Sequence, residues 1–87
     1  MTARIRSVGP EVDLIVGENV KKLRDARGWS RGDLHDNMFL AYGKALSVAT
    51  IGTIEDPNLE RRVTAGELVL LAGTLGVPMD VLTKEIK

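Results

Sequence analysis

The apolar residues of this chain recur at steps of three and four, and this spacing constrains its fold more than any other feature. In the first clear segment they are Val12, Ile15, Val16, Val20 and Leu23. Residues three and four apart share one face of an α-helix, whereas a strand alternates at every second residue. Acidic residues come early and basic residues late in this segment, which suits the helix dipole, and Gly28 supplies a stop. A first helix is therefore predicted from about Val12.

Cap residues delimit a second helix. Ser30 is a good N-cap, and Asp33 follows three residues later as an acidic form of the capping box. The helix is predicted from Arg31 to about Tyr42, with Gly43 ending it. Its apolar stripe is predicted at Leu34, Met38 and Ala41 or Tyr42.

Two further helices are predicted near the C-terminus. Thr64 and Glu67 have the spacing of a capping box, and Gly76 ends the fourth helix. The inner stripe of this helix is predicted at Leu68, Leu71, Ala72 and Leu75. Pro78 stands near the start of a short fifth helix, because proline is well tolerated at a helix N-terminus.

Five helices joined by short loops in 87 residues predict one all-α domain. Residues 1–10 show no apolar period and end at Gly9-Pro10, so they are predicted to be a flexible N-terminal arm before a domain of residues 11–87. Cysteine is absent, and no apolar run approaches the roughly 20 residues that a membrane span needs. These features favour a cytoplasmic protein with no membrane partner.

Net charge is zero, but the charges are unevenly distributed. Residues 1–31 hold seven Lys/Arg against four Asp/Glu, whereas residues 32–60 hold one against five. A neutral protein can still present a basic face to a polyanion. Ordinary solvated charge explains the same counts, so the pattern favours nucleic acid only weakly.

Enzymatic chemistry has few candidate residues in this chain. His35 is the only histidine, and a catalytic triad or a metal site needs more converging partners, so a structural or surface role is expected. Trp29 is the only tryptophan and is expected to pack the turn between the first two helices rather than to stack on a base. The sequence thus predicts no enzyme, no metal site and no cofactor.

The segment LSVATIGTIED predicts a third helix with a small outer face. Ser47 caps it, Ile51 and Ile54 face inward, and Asp56-Pro57 ends it. Short side chains let a helix approach base edges in the DNA major groove, where hydroxyl and methyl groups can contact bases and phosphates. The candidate positions are Ser47, Val48, Ala49, Thr50 and Thr53. Taken alone, the segment is equally consistent with a short surface helix.

Three motifs in the same order resemble the phage repressor/Cro type of helix-turn-helix domain, the Xre family. The first is Gly17, Val20, Leu23-Arg24, Gly28 and Trp29-Ser30; the second is Ser47, Thr50-Ile51 and Ile54-Glu55; the third is Leu68, Leu71-Ala72 and Leu75-Gly76-Val77-Pro78. The resemblance covers roughly residues 12–83. It implies a five-helix, lambda-repressor-like fold that binds double-stranded DNA, usually as a homodimer on palindromic operators, and regulates transcription.

Two features depart from the family pattern. His35 stands where the family usually has a small residue, and extra residues within FLAYGKALS, between Met38 and Ser47, lengthen the turn between helices two and three. The longer turn makes Lys44 or Tyr42 a candidate phosphate contact.

The resemblance also implies which residues contact DNA. It places the base-facing side chains on the third helix, with further contacts at the start of helix two and in the loop after helix three. The predicted DNA-binding residues are Arg31, Lys44, Ser47, Val48, Ala49, Thr50, Thr53, Asn58, Arg61 and Arg62. Arg4 and Arg6 could act as a minor-groove arm, although a disordered tail is the stronger expectation.

Two functions remain open at this point. One is a sequence-specific DNA-binding regulator, a small repressor of phage, mobile-element or antitoxin type. The other is a protein-interaction module of the same fold that binds a toxin or a transcription-machinery protein, which the neutral charge and the lengthened turn favour. Extra apolar positions support a homodimer in either case, and they are Val69, Leu70, Val81 and Leu82.

Overall fold

Five α-helices make up the fold in the computed structural model, which describes residues 2–59 and 61–85, with side chains from residue 11 onward. They are α1 (Thr2–Ala26), α2 (Arg31–Tyr42), α3 (Val48–Glu55), α4 (Ala65–Leu75) and α5 (Met79–Leu82). The described residues contain no strand, so the prediction of an all-α fold is confirmed. None of the helices in the described part of the chain has both the length and the apolar character needed to cross a membrane.

The first helix is longer than its apolar pattern indicates. α1 begins at Thr2, so the segment predicted as a flexible arm is helical from Thr2 to Pro10. The helix start predicted at about Val12 is therefore too late, because Pro10 cannot donate a helical hydrogen bond and resembles a boundary. A proline disturbs a helix without always ending it. The side chains of Arg4 and Arg6, considered as minor-groove contacts, lie outside the described ones.

Capping boxes begin α2 and α4, as predicted. Ser30 Oγ accepts the backbone N–H of Asp33 at 3.0 Å, and Asp33 Oδ2 accepts the backbone N–H of Ser30 at 2.9 Å. Thr64 and Glu67 make the same reciprocal pair at 3.1 and 2.9 Å. A cap of this kind contributes about 1 kcal/mol, so local chemistry fixes where these two helices start.

Helices α1, α2 and α4 each end at a glycine in the left-handed conformation. The φ angles of Gly28, Gly43 and Gly76 are 68°, 70° and 70°. A β-carbon disfavours this region, which makes glycine the usual residue there. All three positions are the stops that the sequence predicts.

The core is formed by the inward faces of all five helices. Its buried apolar side chains are Val16, Val20, Leu34, Met38, Ile51, Ile54, Leu71, Ala72, Leu75 and Leu82. α1 and α3 cross at Gly17, where the backbone of Ile54 leaves no space for a β-carbon. This close crossing places one side of α3 directly against α1 and leaves its other side at the surface.

The apolar stripe of α2 ends earlier than predicted. Leu34 and Met38 are buried, but Ala41 and Tyr42 are exposed, so their assignment to the inner face is wrong. The last turn of α2 extends past the core and runs along α4. There the hydroxyl of Tyr42 lies against Gly73 and would have to move aside for a β-carbon.

A buried amide fixes α5 against α1. Asn19 is 1% exposed, and its Nδ2 donates to the backbone carbonyls of Val81, Leu82 and Lys84 at 3.2, 2.8 and 2.6 Å. These contacts hold the end of α5 so that Leu82 is fully buried. The prediction that Leu82 contributes to a dimer face is therefore wrong, because this side chain belongs to the core.

Candidate nucleic-acid interface

The outer face of α3 carries only short side chains. Ile51 and Ile54 are buried on the inner face, whereas Ser47, Val48 and Ala49 are exposed. Val48 is the largest side chain on this outer face and is 47% exposed. A face of this kind can approach base edges closely, because no long side chain holds the helix backbone away from them.

Hydrogen bonds fix the hydroxyl groups of this face. Ser47 Oγ accepts the backbone N–H of Thr50 at 3.0 Å, which makes Ser47 the N-cap of α3, as predicted, and donates to Thr50 Oγ1 at 2.9 Å. Thr53 Oγ1 donates to the backbone carbonyl of Thr50 at 2.7 Å. The hydroxyl hydrogens of Ser47 and Thr53 are thus used within α3. Both groups offer acceptor lone pairs to a ligand, while Thr50 keeps a hydroxyl hydrogen to donate.

A buried carboxylate joins α1, α2 and α3 behind this face. Glu55 Oε2 accepts from Arg24 Nε and Glu55 Oε1 from Arg24 Nη2, both at 2.9 Å, and Oε1 also accepts from Arg31 Nε at 3.1 Å. The side chain of Glu55 is 0% exposed and that of Arg24 is 9% exposed. Hydrogen bonding to Glu55 raises the pKa of the Arg24 guanidinium above its ordinary value. Two arginines share this carboxylate, and Arg24 Nη1 also lies 3.4 Å from Asp25 Oδ1, so the charges of the cluster are balanced.

Arg24 also fixes the turn between α1 and α2. Its Nη1 donates to the backbone carbonyl of Trp29 at 2.7 Å. The indole of Trp29 is partly buried against the core, as predicted, and the guanidinium carbon of Arg27 lies 5.8 Å from the centre of the ring. That distance is within the range of a favourable cation–π contact. Arg24, which binds Glu55 of α3, therefore also holds the turn that leads into α2.

Two side chains of α2 fix the turn of residues 43–47 that leads into α3. Nδ1 of His35 lies 2.9 Å from the carbonyl oxygen of Leu46, and the N–H of Leu46 donates to Met38 Sδ at 3.3 Å. A carbonyl oxygen can only accept, so the hydrogen of the His35 ring is on Nδ1. Both polar backbone groups of Leu46, the residue before the Ser47 cap, are thereby engaged. No signal in the sequence identified this arrangement.

The cations predicted at the interface differ in how available they are. Arg61 donates to Glu67 through Nη1 at 2.9 Å and through Nη2 at 2.6 Å. This pair lowers the pKa of the Glu67 carboxyl below its ordinary value. Lys44, Asn58 and Arg62 are exposed. Arg61 is thus engaged within the protein, whereas Lys44 and Arg62 extend into solvent.

A groove of about 700 Å³ lies beside the loop after α3, between that loop and α1. Leu14 and Leu59 line it and are 47% and 45% exposed. Lys21, Lys22 and Arg62 also line it, together with several acidic residues. Its volume is that of a typical ligand or peptide site.

The structure brings the predicted residues into two groups. One group is Arg31 with the residues of α3, because Arg31 binds Glu55 and its guanidinium lies beside Gly52. Lys44 lines a second groove at the start of α4, together with Tyr42 and Val69.

Comparison with models of protein families, with curated proteins and with solved structures found no match to this chain.

Proposed function

We propose that this chain is a sequence-specific DNA-binding transcriptional regulator, a small repressor of phage, mobile-element or antitoxin type. The observation that carries the proposal is the buried ion pair between Arg24 and Glu55. It joins two motifs of the resemblance to the phage repressor/Cro family, Leu23-Arg24 of α1 and Ile54-Glu55 of α3. Residues far apart in the chain thus meet in a way that turns the small face of α3 outward.

In this proposal α3 enters the major groove with that face toward the bases. Val48 and Ala49 contact thymine methyl groups, and the hydroxyl oxygen of Thr53 accepts a hydrogen bond from a base. Ser47 and Thr50 lie near the sugar–phosphate backbone. These side chains offer few donors, so methyl contacts and DNA shape supply much of the selectivity.

Phosphate contacts flank α3 on both sides. Lys44 precedes the helix and Arg62 follows it, and both are exposed. The internal pair with Glu67 makes Arg61 a weaker phosphate contact than Arg62. Phosphate contacts give affinity and orientation but no sequence information.

A homodimer would present two copies of α3 to the half-sites of a palindromic operator, about 34 Å apart. Because Leu82 is buried, the apolar positions left for a dimer contact are fewer than the sequence suggested. Val69 is 49% exposed, and Leu70 and Val81 are partly exposed. Val69 is therefore the main apolar candidate for that contact.

Selection of bound sequences from a random duplex library, at two salt concentrations, tests this function. A recovered palindrome that binds more weakly at high salt is expected, because cations on the protein displace counterions from the phosphates. Thr53→Ala should relax the base preference at one position of each half-site. If no motif is enriched and binding stays weak at low salt, the regulator function is rejected.

A protein-interaction module is the second candidate function, and exposed apolar side chains support it. Phe39 and Leu40 at the end of α2 are 55% and 83% exposed. Exposed apolar patches often mark protein contacts. Phe39→Ser with Leu40→Ser should abolish binding to a protein partner and leave DNA binding intact. Loss of DNA binding in that folded variant would instead place this surface at the operator.

A further inference from the structure

Arg31 is anchored by a single nitrogen. Its Nε donates to Glu55 Oε1 at 3.1 Å, and the carboxylate that accepts this bond is fully buried and also bound by Arg24. Because this carboxylate is buried and also bound by Arg24, it is a well-defined acceptor. The bond to it orients the guanidinium of Arg31, although 44% of the side chain is exposed.

Arg31 is the first residue of α2, but the bond to Glu55 places its guanidinium beside α3. A β-carbon at Gly52 would lie 3.6 Å from Arg31 Nη1 and 3.8 Å from its central guanidinium carbon. Gly52 lies between Val48 and Glu55 on the helix surface, next to the outer face of α3. Both distances are ordinary van der Waals distances, so the guanidinium lies beside Gly52 on the helix that carries the proposed base contacts.

The two Nη groups of Arg31 make no hydrogen bond or ion pair within the described part of the protein. The N–H groups of Nη1 and Nη2 therefore form a donor edge, which the bond from Nε to Glu55 orients. Two acceptors on nucleic acid match such an edge, the O6 and N7 atoms of guanine and the oxygens of a phosphate.

We propose that Arg31 reads a guanine in each half-site of the operator by donating from its Nη groups to O6 and N7. The proposal rests on the DNA-binding function proposed above. Two observations favour guanine over phosphate. The charge of Arg31 is already partly balanced by Glu55, which weakens attraction to an anion but not the direction of its donors. The guanidinium also lies on α3, whereas the exposed cations Lys44 and Arg62 lie before and after this helix.

The test compares selected operators and affinities for four proteins, the wild type, Arg31→Ala, Arg31→Lys and the control Arg62→Ala. The wild-type half-site should contain one G·C pair whose replacement lowers affinity by roughly 5- to 150-fold, the range for a bidentate base contact. Arg31→Ala should lose the preference at that pair alone. Arg31→Lys keeps the charge without the planar fork, so it should also lose the preference while retaining the salt dependence.

Arg62→Ala should instead weaken binding to every sequence by a similar factor and reduce the salt dependence, as expected for a phosphate contact. If Arg31→Ala has that same uniform effect or none, Arg31 is not a base reader. Failure of the wild type to select any sequence rejects the DNA-binding function itself. Circular dichroism on each variant shows that it is folded, and the bonds between Arg24 and Glu55 do not involve Arg31.

Discussion

Arg24 donates to both carboxylate oxygens of Glu55, with each bond 2.9 Å long, although the two residues are 31 positions apart. Removing Arg24 leaves the buried Glu55 carboxylate with Arg31 as its remaining partner, which should cost about 3 kcal/mol, the lower end of the range for a broken buried pair. Arg24→Met should lower the free energy of unfolding by that amount in urea denaturation. The double variant Arg24→Met with Glu55→Leu should lose less than the single variant. A loss below about 1 kcal/mol in the single variant would show that the pair does not stabilise the fold.

His35→Ala should loosen the turn before α3. The variant loses the bond from Nδ1 to the Leu46 carbonyl, which contributes about 1 kcal/mol to stability. Amide hydrogen exchange at Leu46 and Ser47 should become faster, while exchange in α4 stays unchanged. Met38→Leu keeps the volume but removes the sulfur that accepts the N–H of Leu46, so it should also speed exchange at Leu46 and serves as a positive control. Unchanged exchange at Leu46 in His35→Ala would mean that the turn does not depend on His35.

The pair of Arg61 and Glu67 makes stability depend on pH in the acid range. Hydrogen bonding to Arg61 lowers the pKa of Glu67 below its ordinary value of 4.5. The pair therefore stabilises the fold above that value, and the contribution is lost as pH falls through the folded-state pKa. Thermal melting between pH 7 and pH 3 should show this loss in the wild type, whereas Glu67→Gln should be less stable at neutral pH and less sensitive to acid. Parallel curves for the two proteins would contradict the pairing.

Gly17→Ala should destabilise the crossing of α1 and α3. A β-carbon at this position meets the backbone of Ile54, which cannot move aside as a side chain could, so a cost of about 1–3 kcal/mol is expected. Gly66→Ala is the control, because the nearest atom to a β-carbon there is Thr64 Oγ1 at 4.0 Å. It should be neutral or stabilising by up to about 1 kcal/mol. Equal stability of the two variants in urea denaturation would mean that the crossing has room to relax.

Arg61→Ala and Arg62→Ala should have different consequences. Arg62→Ala should weaken DNA binding and reduce its salt dependence, since Arg62 is exposed. Arg61→Ala should mainly lower thermal stability, because it leaves Glu67 without its partner. The double variant should show both effects. A salt dependence that stays unchanged in the double variant would remove both residues from the phosphate contacts.

The features that sequence analysis predicted correctly are those that depend on neighbouring residues. Ser30, Ser47 and Thr64 bind backbone groups three residues away, so caps of this kind can be read directly from a short segment. The apolar period likewise identified the buried residues of α3 and α4. The start of α1 was missed because Pro10 resembles a boundary and the residues before it show no apolar period.

The features that were missed depend on contacts between distant segments. No local pattern indicates that Glu67 engages Arg61 rather than leaving it to a phosphate, or that Glu55 holds Arg31 on α3. Arg31 was predicted as a DNA contact by resemblance, but its position over Gly52 follows only from the packing of α2 against α3. Charge counts could not show which arginines were already paired.

The contact of Trp29 with Arg24 gives the protein a built-in spectroscopic reporter. Trp29 is the only tryptophan, its indole is partly buried, and its carbonyl binds the arginine that also holds Glu55. Its fluorescence arises from one place, where α1, α2 and α3 are joined. A change of emission on addition of a ligand would therefore signal movement at this junction, without any label attached to the chain.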